Sequence, residues 1–161
     1  MSAAASRSGS AAARAVARPT AILCLPSDTS FLGLVREVTK KMAEMAGFEP
    51  AVADQVALAV DEATTNVIEH AYKGREDRRV EVHFEDRGPE LCVEVVDDGV
   101  ALDPKRLPRV DVARFERERR TGGLGVHLMG KIMDSVSFKR AARRNVCCLV
   151  KRKGPGPTEG R

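Results

Sequence analysis

The stretch that decides the fold is VEVHFEDRGPELCVEVVDDG, residues 80–99. Val80, Val82 and Phe84 alternate with Glu81, His83 and Glu85, so one side of this segment is apolar and the other polar. That period of two belongs to a half-buried strand. Asp86-Arg87-Gly88-Pro89 makes a turn, and Leu91, Val93 and Val95 resume the alternation, so the pair reads as a β-hairpin. Two strands joined directly by a turn are antiparallel, which sets this chain apart from the strand–helix–strand alternation of a parallel nucleotide-binding sheet.

Upstream, the spacing is helical. Val52, Val56, Ala59, Val60, Ala63 and Val67 form one apolar side of a helix that opens at Pro50 and runs to about Tyr72, before Lys73-Gly74. An earlier helix carries Phe31, Leu34, Val35, Val38, Met42 and Met45 on a core face, with the methionines filling gaps, and Gly47 stops it. A short strand, Ala21 to Leu25, precedes it, followed by a turn at Pro26, Ser27 and Asp28. Downstream, a helix is expected from about Gly123 to Met133, then a closing hairpin from Val136, Phe138 and Val146 to Val150. The order predicts an α+β fold: a two-layer sandwich with a mostly antiparallel sheet and helices on one face. The ordered domain spans about residues 20–152. Residues 1–19, rich in Ala, Ser and Arg without an acid, read as a disordered tail or, alternatively, an organelle transit peptide, and residues 153–161 as a second tail.

The 161 residues suit one domain with a real core. With 43% hydrophobic and 31% charged residues, the chain reads as soluble and globular. A net charge of +4, no Trp and a single Tyr leave little to hold nucleic acid or stack on bases. The run Arg114-Phe115-Glu116-Arg117-Glu118-Arg119 mixes signs, as a solvated face does. No apolar stretch approaches the roughly 18 residues of a membrane span. Cys24, Cys92, Cys147 and Cys148 have neither zinc-site nor disulfide-framework spacing; all four are expected to be buried free thiols in strands of a cytoplasmic protein.

Three segments carry chemistry. On the polar side of the second helix, Glu62, Asn66, Glu69, His70 and Lys73 fall on one stripe at α-helical spacing. Such a stripe is ordinarily solvated surface. Asn66, a poor interior helix residue one turn from a carboxylate, points beyond that, because carboxylate and amide oxygens at this spacing suit Mg²⁺. In Val95-Val96-Asp97-Asp98-Gly99 an apolar strand ends in two acids and a glycine. This is either a plain turn or a carboxylate that accepts from the exocyclic amine of a base, with Gly99 letting the backbone approach the ring. Thr121-Gly122-Gly123-Leu124-Gly125 then enters a helix. It is a hinge or a helix start whose free N–H groups cradle phosphate. The G-x-x-x-x-G-K spelled by Gly125 to Lys131 is not a phosphate loop, since Ile132 stands where Ser or Thr is needed and no strand leads into it.

These segments, in this order, resemble the N, G1 and G2 boxes of the GHKL (Bergerat-fold) ATPases, in particular the anti-sigma-factor serine kinases. D-E-A-T-T-N-V-I-E-H-A-Y at 61–72 is similar to the N box, V-V-D-D-G-V-A-L-D-P at 95–104 to G1, and G-G-L-G-V-H-L-M-G-K-I-M-D at 122–134 to G2. The resemblance implies ATP and Mg²⁺ as cofactors. Asn66 would bind the Mg²⁺, Glu62 would be the general base toward a substrate serine, and Asp97, beside Gly99, would take the adenine amine. Gly123 and Gly125 would offer N–H groups to the phosphates, with Thr121, Gly122 and Leu124 in the same nucleotide-binding segment. Residues 100–121 would be an ATP lid, from which Arg119 or Arg120 would reach the γ-phosphate. Many relatives have a second glycine in G1 where this chain has Ala101. The implied function is an ATP-dependent protein serine kinase and anti-sigma factor that binds a sigma factor and phosphorylates a STAS-type anti-anti-sigma protein; homodimers are frequent in that branch. Two alternatives stay open, a catalytically inactive ATP-binding switch module and an ATPase domain related to histidine kinases.

Overall fold

A computed structural model describes residues 21–101 and 124–154. β1 (Ala21–Pro26) leads through a 3₁₀ turn (Thr29–Phe31) into α1 (Leu32–Met45) and α2 (Pro50–Asn66), which widens into a π turn (Val67–Ala71). β2 (Arg79–Asp86), β3 (Glu90–Asp97), α3 (Leu124–Ile132), β4 (Ser135–Ala141) and β5 (Arg144–Arg152) complete the order. The Asp28 side chain accepts from the Ser30 N–H at 2.8 Å and so turns the chain into the first helical segment.

The five strands form one sheet in the order β1-β2-β3-β5-β4, every pair antiparallel. Both expected hairpins are present. The strand that joins them is β5, because its Val146, Cys147 and Leu149 are buried, whereas β4 alternates half-buried and exposed residues as an edge strand does. Val80, Val82 and Phe84 of β2, Leu91, Val93 and Val95 of β3, and Cys147 and Leu149 of β5 face the helices and pack with Val56, Ala59, Val60 and Ala63 of α2, Val35 of α1 and Met129 of α3. The expected two-layer α+β sandwich is therefore the observed one. Ala53, Ala59 and Ala63, all buried, let α2 approach closely, and the ion pairs Arg36–Asp61 (3.0 Å) and Lys40–Asp54 (2.6 Å) bind it to α1.

Three expectations are corrected. Leu34 and Met45 are 46% and 68% exposed rather than on the core face of α1, whose buried residues are Val35, Thr39 and Ala43. Cys24 is exposed, because it lies on an edge strand and on the sheet face without helices; Cys92 and Cys147 are buried and Cys148 half-buried. The regular α-helix ends at Asn66, not near Tyr72, and Lys73 has left the helix at φ 54°, so the polar stripe does not continue past the π turn at α-helical spacing. The tails and the 100–121 lid lie outside the described residues, apart from Val100, Ala101, Lys153 and Gly154.

Candidate nucleotide-binding site

Asp97 ends β3 with 3% exposure, opposite Asn145 of β5, which is 1% exposed. Its Oδ1 accepts from the Gly99 N–H at 2.8 Å and from Asn145 Nδ2 at 2.7 Å. Asn145 also donates to the Val100 carbonyl at 3.1 Å and accepts from Arg140 Nη1 at 2.8 Å, which fixes its amide. Among the described residues both bonds to Asp97 fall on one oxygen, which leaves the Oδ2 lone pairs for a ligand. Burial pushes the Asp97 carboxyl above the ordinary carboxylate range, against the opposing pull of the bonds from Asn145 and Gly99.

Gly99 is pressed against the π turn. A Cβ there would stand 2.6 Å from the Ala71 carbonyl oxygen and 2.8 Å from its carbon, with no room to yield because both are backbone. The Val100 N–H donates to that same carbonyl at 3.0 Å. The Tyr72 hydroxyl closes the corner. It accepts from the Asp98 N–H at 3.1 Å and lies 2.5 Å from the Arg79 carbonyl and 2.9 Å from Asp98 Oδ1. The wide turn thus delivers a backbone carbonyl to the end of β3, in keeping with the frequent use of π turns at functional sites.

In the last turn of α2, just before the π turn, Glu62 and Asn66 sit one turn apart, both half-buried. Gly125, in the first turn of α3, faces them: a Cβ on it would come within 2.5 Å of Glu62 Oε2 and 3.8 Å of Asn66 Nδ2. Asp61, the acid before Glu62, turns the opposite way into the α1 contact with Arg36. Burial raises its carboxyl, and Arg36 pulls it back. The two adjacent acids therefore separate into one that ties helices together and one beside α3. The donor set fits a metal-bound polyphosphate: a carboxylate and an amide face the first turn of α3 at a place that only a glycine leaves open, and a helix start favours anions.

Two widely separated segments thus meet α2, one at each end of its last turns. Residues 25–151 match the protein family described as the histidine kinase-like ATPase domain. The chain belongs to the histidine kinase-like ATPase domain family. Within this ATPase family it stands with the serine-protein kinases. It is 33% identical over 120 residues to serine-protein kinase RsbW of Listeria monocytogenes, covering 72% of this chain and 76% of that one. It is likewise 33% identical over 124 residues to RsbW of Bacillus pumilus, with 71% and 75% covered. The fold is similar to a chain in the SiaB–SiaC complex of Pseudomonas aeruginosa, with a TM-score of 0.58 at 19% identity over 83% of this chain and 89% of that one.

Membership of an ATPase family makes ATP the cofactor. Of the site residues expected from the sequence, Glu62, Asn66 and Gly125 come together at one end, and Asp97 and Gly99 at the other. Leu124 begins α3. Thr121, Gly122, Gly123, Arg119 and Arg120 lie outside the described residues. Sequence reasoning missed Asn145, Arg140 and Tyr72. Asn145 carried a faint signal, a strand-averse residue heading an apolar strand, but its partner becomes visible only once β5 is known to pair with β3.

Proposed function

We propose that this chain is an ATP- and Mg²⁺-dependent protein serine kinase and anti-sigma factor. It holds a sigma factor and phosphorylates a STAS-type anti-anti-sigma protein on serine. The observation that carries the reading is the meeting of Gly125 with Glu62 and Asn66: an acid, an amide and a helix N-terminus share one opening. The serine-protein kinase names of the relatives support the reaction type.

ATP with its Mg²⁺ supplies the transferable γ-phosphoryl group and neutralises the charge that develops on it. The chain's residues bind and orient. Asp97 Oδ2 accepts the N–H of the adenine amine while Asn145 and Gly99 hold Oδ1. Asn66 is the metal ligand, and the first-turn N–H groups of α3 hold phosphate oxygens. Glu62, next to Asn66, takes the proton from the substrate serine hydroxyl as that oxygen attacks. Residues 20–152 form the kinase unit, with 100–121 as the lid over the nucleotide.

The test is transfer of labelled γ-phosphate to the host's STAS-type protein, paired with calorimetry of ATP binding with and without Mg²⁺. Glu62→Gln should lower transfer at least about 100-fold, the usual contribution of a positioned base, and leave ATP affinity intact. Transfer by Glu62→Gln at the wild-type rate, or nucleotide affinity indifferent to Mg²⁺, would overturn the assignment.

A further inference from the structure

The sheet face turned away from the helices carries a cluster the kinase reading does not use. Along β3, Leu91, Val93 and Val95 enter the core, so Cys92 and Glu94 project to the opposite side; along β5, Cys147 and Leu149 enter the core and Cys148 projects with them. The register sets Glu94 directly across from Cys148, and Cys92 on the adjacent diagonal. The two sulfurs are 3.3 Å apart. One ligand atom from each of Cys92, Glu94 and Cys148 lies within 4.8 Å of the other two, the one such group among the described residues.

We propose that Cys92, Cys148 and Glu94 form a binding site for a thiophilic divalent cation of the Zn²⁺ class. The chemistry is three protein ligands, two sulfur and one oxygen, with the fourth tetrahedral position facing solvent past the half-exposed Cys148 and Glu94. Two sulfurs on one zinc at about 2.3 Å each stand about 3.8 Å apart, so a small side-chain rotation opens the pair enough to admit the ion. A covalent bond between them is less well served. Diagonal partners in an antiparallel pair stand about 7–8 Å apart, beyond the roughly 4.4–6.8 Å between Cα atoms that a disulfide spans.

On binding, each thiol loses its proton to solvent and each sulfur gives an electron pair to the ion. Two thiolates and a carboxylate around a dication leave one negative charge. Lys139, which bonds Glu94 Oε1 at 3.1 Å, is placed to offset it, and its 58% exposure lets it move if the carboxylate turns. The site staples β3 to β5, the pairing that also holds Asp97 against Asn145 on the other side of the sheet.

The test uses the full chain, reduced with a non-thiol reductant, and Co²⁺ as the probe. One equivalent should produce sulfur-to-cobalt charge-transfer absorption that Zn²⁺ abolishes by competition and Mg²⁺ does not. Cys148→Ala, at a half-exposed position that tolerates truncation, should weaken Co²⁺ binding at least tenfold and remove that absorption, and Glu94→Gln should weaken it severalfold. Cys24→Ala, on the same face but on β1, should bind as the wild type does. Absence of the absorption in the wild type, or its survival in Cys148→Ala with a native circular-dichroism spectrum, overturns the proposal.

Discussion

The two ends of the nucleotide site are built in opposite ways. The Asp97 corner is finished like a protein core: its carboxylate and its amide partner are almost fully buried, both bonds to Oδ1 are in place, and Gly99 rests on main-chain atoms. The Glu62 corner is left open. Glu62 and Asn66 are half-buried, Gly125 meets only the ends of their side chains, and among the described residues no hydrogen bond falls on either side chain. The first end suits recognition of a constant base, where rigid, satisfied groups discriminate. The second suits a reaction in which a carboxylate must accept a proton and a metal must come and go with its nucleotide.

The contrast yields graded ways to break it. Gly99→Ala should cause the largest loss of stability, about 3 kcal/mol at the upper end of overpacking costs, because the added methyl meets the Ala71 backbone; chemical denaturation measures it. Gly125→Ala should behave inversely. Its methyl displaces only the Glu62 carboxylate, and alanine suits a helix better than glycine, so stability should stay within about 1 kcal/mol of wild type. Phosphoryl transfer should fall about 100-fold, the usual effect of a misplaced catalytic group. If both variants merely lose stability alike, the two ends are not distinct. Asp97→Asn sharpens the comparison further. Its amide oxygen can keep both bonds made by Oδ1 while the new NH₂ faces the adenine amine donor to donor, so ATP affinity should fall at least about tenfold with the fold intact, by calorimetry.

The smallest effect is in the pH dependence of stability. The folded-state pKa of Asp97 lies above its ordinary 3.8 because burial disfavours the charged form. Its contribution to stability is therefore complete below that ordinary value and is lost as pH rises through the elevated one. Thermal melts should show Asp97→Asn gaining on the wild type from about pH 4 toward neutrality. Asp61, shifted in the same direction, is common to both proteins and cancels.

Much of this was legible in the chain itself. Period-two alternation at 80–95 and helical spacing at 31–45 and 50–67 carry the sandwich, because each element buries one face. Asn66 was readable as a poor interior helix residue, Glu62 as an acid one turn from it, and Asp97 and Gly99 as the polar end of an apolar strand. Asn145 was not, since strand pairing between β3 and β5 is set by which strand is apolar enough for the sheet centre, and adjacent-hairpin reasoning never compares them. Nor was the π turn, because a window tuned to 3.6 residues per turn has no term for one residue more. Met45 and Leu34 fit the helical period as well as their buried neighbours do; only the position of α2 decides which part of that arc is covered.

The carbonyl of Ala71 has a consequence beyond the corner it fills. By accepting the Val100 N–H, it moors the chain leaving β3 to the helix layer, as Asn145 moors it to the sheet. One peptide group of the helix layer thus sets both the position of Gly99 and the direction in which the chain leaves β3.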